Sequence, residues 1–154
     1  MRKAFTLVEL LVVIAIISIL TIITVSQFQT AKRKANDVAR KGDLSALSKA
    51  LMMYYADLNE FPDELDLTTG GEFKDGSYTY MKVTPKERNA SLPPFCYVVD
   101  NSTAQKKFAL FAQLENTADS ECFGHTYTAP CSAKTYCFAF TSPNTSLNAD
   151  GTFN

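Results

Sequence analysis

The 154-residue sequence predicts an α+β fold. One long N-terminal α-helix, transmembrane in its first half and amphipathic in its second, is expected to pack against a small antiparallel β-sheet. Three observations predict it. Residues 5–25, FTLVELLVVIAIISILTIITV, hold a single charged residue, Glu9. No proline interrupts the chain before Pro62, and Leu44, Leu47, Leu51, Tyr54 and Leu58 recur at spacings of 3, 4, 3 and 4, the stripe of a helix packed on a core. Beyond Pro62, four short segments rich in Tyr, Phe and Val have strand composition.

The apolar run comes first. As a helix it spans roughly 30 Å, about the hydrocarbon thickness of a bilayer. Arg2 and Lys3 would suit the positive end of a secretory signal peptide, but such a signal has an apolar core of about 7–15 residues and a small-x-small cleavage site. This run is longer and passes through Ser18, Thr21, Thr24 and Ser26 without that pattern, so a retained helix is expected. Orientation stays open at this point. The positive-inside rule counts Lys32, Arg33, Lys34, Arg40 and Lys41 against Arg2, Lys3 and the α-amine, which favours a cytoplasmic bulk. Four cysteines in a small domain favour an oxidising compartment instead. Glu9 is costly inside a membrane helix. Either it snorkels or is protonated near the interface, or it awaits a cation from another subunit.

The second half continues the rod. A helix from Phe5 to about Leu58 would be roughly 80 Å long, with Pro62 as a sensible stop. Gly42 weakens it by about 1 kcal/mol relative to Ala. The cluster Lys32, Arg33, Lys34, Arg40 and Lys41 reads as a solvated face at the membrane exit, near anionic headgroups, with Asp37 and Asp43 as helical partners. DNA contact is the less favoured reading of the same residues. A net charge of −1 excludes a generally basic nucleic-acid binder.

In the remainder, Asp63–Leu67 is expected to form one helical turn and Thr69-Gly70-Gly71 a loop. Strands are expected over Ser77–Val83, Phe95–Asp100, Lys107–Leu114 and Thr135–Thr141, with Asn101-Ser102-Thr103 turning between the second and third. Cys96, Cys122, Cys131 and Cys137 allow three connectivities; the expected pairing is Cys122–Cys131 around His125 and Cys96–Cys137 between strands. Intervening lengths of 25, 8 and 5 residues contain no C-x₂₋₄-C pair, which argues against zinc. No nucleophile–base or paired-carboxylate constellation stands out, so neither an enzyme nor a cofactor is expected. Asn89-Ala90-Ser91, Asn101-Ser102-Thr103 and Asn144-Thr145-Ser146 match the glycosylation sequon. In the run 144–151, Asn148 and Asp150 are weak calcium candidates, since Asp-Gly most often marks a turn.

Lys3-Ala4-Phe5-Thr6-Leu7-Val8-Glu9, followed by an unbroken apolar helix, resembles the class III signal of type IV pilins and pseudopilins. The resemblance covers about residues 1–60 and implies the family's lollipop plan. A prepilin peptidase would remove the leader, residues 1–4, on the cytoplasmic side, cutting between Ala4 and Phe5. Phe5 would become the N-methylated N-terminus, and Glu9, fifth in the mature chain, would pair with the terminal ammonium of a neighbouring subunit. Thr6 and Glu9, three apart, also have capping-box spacing. Ala4 stands where the family nearly always has Gly, and Ser26 where many pilins have Pro. The implied division is leader 1–4, transmembrane and filament-core helix 5–26, amphipathic continuation 27–60 and globular head 61–154. The implied partners are copies of the chain in a helical filament, the prepilin peptidase, the inner membrane before assembly and the assembly machinery there. The implied location is the inner membrane as precursor, then a filament on the cell surface. A pseudopilin of type II secretion, whose major members bind calcium in their C-terminal region, and a membrane-anchored exported binding domain are the alternatives.

Overall fold

The computed structural model describes residues 5–100, 107–122, 124–131, 134–143, 145–148 and 150–154, with the backbone alone at 23–26. Helix α1, Leu7–Leu58, runs unbroken for 52 residues. Its side chains from Leu7 to Ile22 are all exposed. A helix apolar on every side suits lipid or a helical bundle rather than water. The hydroxyls within it are satisfied locally: Ser18 and Thr21 donate to the carbonyls of Ile14 and Ile17 at 2.7 and 2.8 Å, so neither carries an unmet donor into an apolar environment.

At the far end, Asn59 adopts the left-handed conformation and donates its N–H to the Tyr55 carbonyl at 2.8 Å, closing the helix. The reversal leaves Leu58 40% exposed, so the expected stripe stops at Tyr54. Phe61 takes its place in the core, stacking on Tyr55 at 4.7 Å and meeting the Phe108 ring edge-on at 4.9 Å. Asp63–Leu67 is not the expected helical turn. The Asp66 carboxylate instead accepts the N–H and hydroxyl groups of both Thr68 and Thr69, a local alternative with which aspartate competes against helix.

Two antiparallel sheets form where one was expected. Strands β1 (Phe73–Asp75) and β2 (Tyr78–Met81) make a hairpin; β3 (Cys96–Val99), β4 (Phe108–Ala112) and β5 (Phe138–Thr141) make a sheet of order β3-β4-β5. The hairpin docks on the helix through three rings: Tyr54, Phe73 and Tyr80 lie pairwise 5.2–5.4 Å apart. The expected turn at Asn101-Ser102-Thr103 lies outside the described residues.

Every residue of β4 is buried. Phe108, Leu110 and Ala112 join Leu44, Leu47 and Leu51 of α1 in the main core. Ala109 and Phe111 face the other way, into a second cluster with Tyr127, Ala129, Tyr136, Leu147 and Phe153. The C-terminal segment is thus a third layer over the sheet, where a single apolar face was expected. Gly151 turns the chain within that layer at φ 85°, a left-handed backbone that L side chains rarely adopt, against the Phe111 ring.

The disulfides join Cys96 to Cys131 and Cys122 to Cys137, not the expected pairs. Strand order supplies the reason. Cys96 lies on β3 and Cys137 immediately before β5, with β4 between the two strands. Two strand spacings separate them, about 9.5 Å, beyond the reach of a disulfide, which needs Cα atoms within about 7 Å. The observed Cα separations are 5.6 and 4.6 Å.

Candidate assembly site

The N-terminus of α1 is closed by its own side chains. Thr6, extended at φ −83° and ψ 149°, accepts from the Glu9 N–H at 3.2 Å. In return Glu9 Oε2 accepts the Thr6 N–H at 2.9 Å and the Thr6 hydroxyl at 2.8 Å. This reciprocal capping box satisfies donors that the first turn would otherwise leave bare. Among the described residues both donors go to Oε2, so Oε1 keeps its acceptor capacity. Phe5 stands 73% exposed just outside the cap, and Ala4 lies outside the described residues. The local geometry therefore holds a carboxylate at the helix start, one oxygen committed and one available, beside an exposed residue 5. Glu9 has partners within its own chain, which reading it only as awaiting a neighbour's cation does not anticipate.

A second polar centre, which the sequence reading missed, locks the rod to the head. Arg40 was expected on a solvated face; it is 4% exposed. Its Nη1 donates to Asp37 Oδ1, its Nε and Nη2 grip both oxygens of Glu87, and Nη2 also reaches Glu115, each at 2.9 Å. Asp37 in turn accepts the backbone N–H groups of Glu115 and Asn116 at 2.8 and 2.9 Å. Asn36 and Asn89 donate to Glu115 at 3.2 Å. Three carboxylates around one guanidinium are tolerable here because these N–H donors also hydrogen-bond to them in place of water. Burial pushes the Glu87 and Glu115 carboxyls up, but Arg40 with the neighbouring amides outweighs it and holds both below the ordinary glutamate value. The hydrogen bond to Glu87, against the opposing effect of burial, pushes the guanidinium's own pKa up. The next residue, Lys41, bridges Asp119 and Glu121, and nearly a turn beyond Arg40, Asp43 pairs with Arg88 at 2.9 Å. The only hint in the sequence was the Asp37–Arg40 spacing.

The remaining candidates are placed as follows. All four cysteines are in disulfides. Asn148 and Asp150 share one turn, where both hydrogen-bond Thr152. His125 stacks on Tyr127 at 6.0 Å. In the sequon at Asn89, the amide is engaged with Glu115; Asn101 and Asn144 lie outside the described residues.

Residues 1–25 match the family model described as the prokaryotic N-terminal methylation motif. The chain carries a class III signal of the kind found in type IV pilins and pseudopilins. Such a signal points to a structural protein, a prepilin-peptidase substrate that begins as an inner-membrane precursor and assembles into a filament. No curated protein and no solved structure matches the chain, so the methylation motif is the likeness that bears on function, and the head stands on its own geometry.

Proposed function

We propose that this chain is a structural subunit of a type IV pilus or pilus-like filament. The observation that carries the reading is the methylation motif opening directly onto an exposed apolar helix that is capped by Thr6 and Glu9. Cleavage between Ala4 and Phe5 on the cytoplasmic side would free the Phe5 amine for methylation. Extraction from the membrane would then exchange lipid contacts for contacts between the apolar helices of many copies. In that low-dielectric bundle an unpaired carboxylate is strongly disfavoured, so Glu9 Oε1 would take the neighbour's Phe5 ammonium and set the register. The heads would form the outer surface.

Mass spectrometry of filaments sheared from the native cells tests processing. The expected N-terminal peptide begins at methylated Phe5; a chain still beginning at Met1, confined to membranes, would transfer the reading to an anchored exported domain. Glu9→Ala tests the mechanism: the precursor should insert and the head keep its disulfides, while filament yield drops at least tenfold. Abundant normal filaments from that strain would sink the pairing. A pseudopilin of type II secretion is the second reading, favoured by the same motif. Secretion defects without extended filaments would select it.

A further inference from the structure

Between the rod and the underside of the head lies a groove of about 1050 Å³. Its lower wall is mostly apolar, with Ile17, Leu20 and Phe28 of α1 beside Thr21 and Gln29; its upper part carries Lys32, Arg33 and Lys86. The carboxylates at its top, Glu87 and Glu115, are taken by Arg40. Arg88 is held by Asp43. Lys32, Arg33 and Lys86 make no ion pair among the described residues; set against the two negative charges that Arg40 leaves over among Asp37, Glu87 and Glu115, they give the groove a small net positive charge above a largely apolar floor. Ile17 and Lys32 are fifteen residues apart on one helix, a rise of about 22 Å. That is about the depth of one leaflet with its headgroups.

We propose that the groove binds an anionic phospholipid of the outer leaflet while the subunit is in the membrane. The phosphate would lie among Lys32, Arg33 and Lys86, and an acyl chain would run down past Phe28 and Leu20 to Ile17. Charge complementarity selects an anionic headgroup, and the continuity of the floor with the apolar half of α1 selects a lipid over a soluble anion. The proposal rests on reading residues 5–26 as membrane-inserted. It adds a purpose for Lys86, which comes from the head and is remote in sequence from the other two cations.

The test places the full chain in nanodiscs of equal phosphatidylglycerol and phosphatidylcholine and releases it for native mass spectrometry. The intact protein should retain phosphatidylglycerol about fivefold or more above the input ratio. The triple variant Lys32→Gln, Arg33→Gln, Lys86→Gln should return to the input ratio. Removing equal charge outside the groove, with Lys34→Gln, Lys49→Gln and Lys82→Gln, should leave the enrichment in place. Equal loss in both triples would reduce the effect to net charge and overturn the site. Insertion without enrichment overturns the lipid while leaving the filament reading intact; failure to insert overturns both. Two further results also overturn it: dimerisation that expels lipid would assign the groove to a second copy. Binding of a DNA duplex that depends on the same three cations, with no lipid preference, would assign it to nucleic acid.

Discussion

Arg40 makes one-residue chemistry decisive for the docking of rod and head. Its four charge-assisted bonds reach α1, the segment around Glu87 and the segment after β4. Arg40→Met keeps much of the stem volume but leaves one buried carboxylate, Asp37, and two half-buried ones, Glu87 and Glu115, without their cation. The expected cost is about 3–5 kcal/mol, read as a loss of denaturation midpoint. The pH dependence should change sign as well. In the intact protein the folded carboxyls of Glu87 and Glu115 titrate below their unfolded value. Their stabilisation is therefore complete above the ordinary glutamate range and is lost as pH falls through the depressed folded value. Without Arg40, burial and mutual repulsion raise those carboxyls instead. The variant should then gain stability between pH 7 and pH 4.5, where the parent gains none. Parallel melting-temperature profiles for the two proteins over that range would refute the account. Little of this was legible beforehand. Asp37 and Arg40 have a helical spacing that any reader can see, but Glu87 and Glu115 lie 47 and 75 residues from Arg40, and no local pattern announces such partners.

At the scale of elements, the helix was legible and the sheet only partly so. An unbroken apolar run and a stripe at spacings of 3 and 4 are periodic signals, and periodicity is what a sequence displays best. Strands β2 to β5 fall within the expected segments, shorter by one to three residues at most ends. Strand β1 was missed because Phe73-Lys74-Asp75 has one apolar residue and is strand only by pairing with β2. The disulfide pairing failed for a related reason: it depends on β4 lying between β3 and β5, and strand order is not a local property. Gly42 offers a check on the helix itself. It lies in α1 with open space around the position a Cβ would occupy. Gly42→Ala should therefore stabilise the head by about 0.5–1 kcal/mol through helix propensity alone. An unchanged or lowered midpoint in chemical denaturation would mean that α1 is not continuous there in solution.

At the scale of the whole molecule, the two halves of α1 answer to different surroundings. Among the described residues every buried side chain lies at or beyond Asp37, so the described core of the head is built without the apolar half. A chain starting at Ala31 should be soluble and monomeric, with both disulfides formed and its helical circular dichroism retained. Aggregation or loss of helicity in that truncation would show that residues before Ala31 contribute to the fold. The same division has a mechanical consequence. Tension along the rod leaves α1 at Asn36, Asp37, Arg40 and Lys41, whose partners include Glu115, Asn116, Asp119 and Glu121. That short segment is moored at one end to the central strand and at the other to Cys122, which is bonded to Cys137 beside β5. A pull on the N-terminus thus enters the sheet at two places, through β4 and, by a covalent tether, beside β5, so β4 does not carry the load alone.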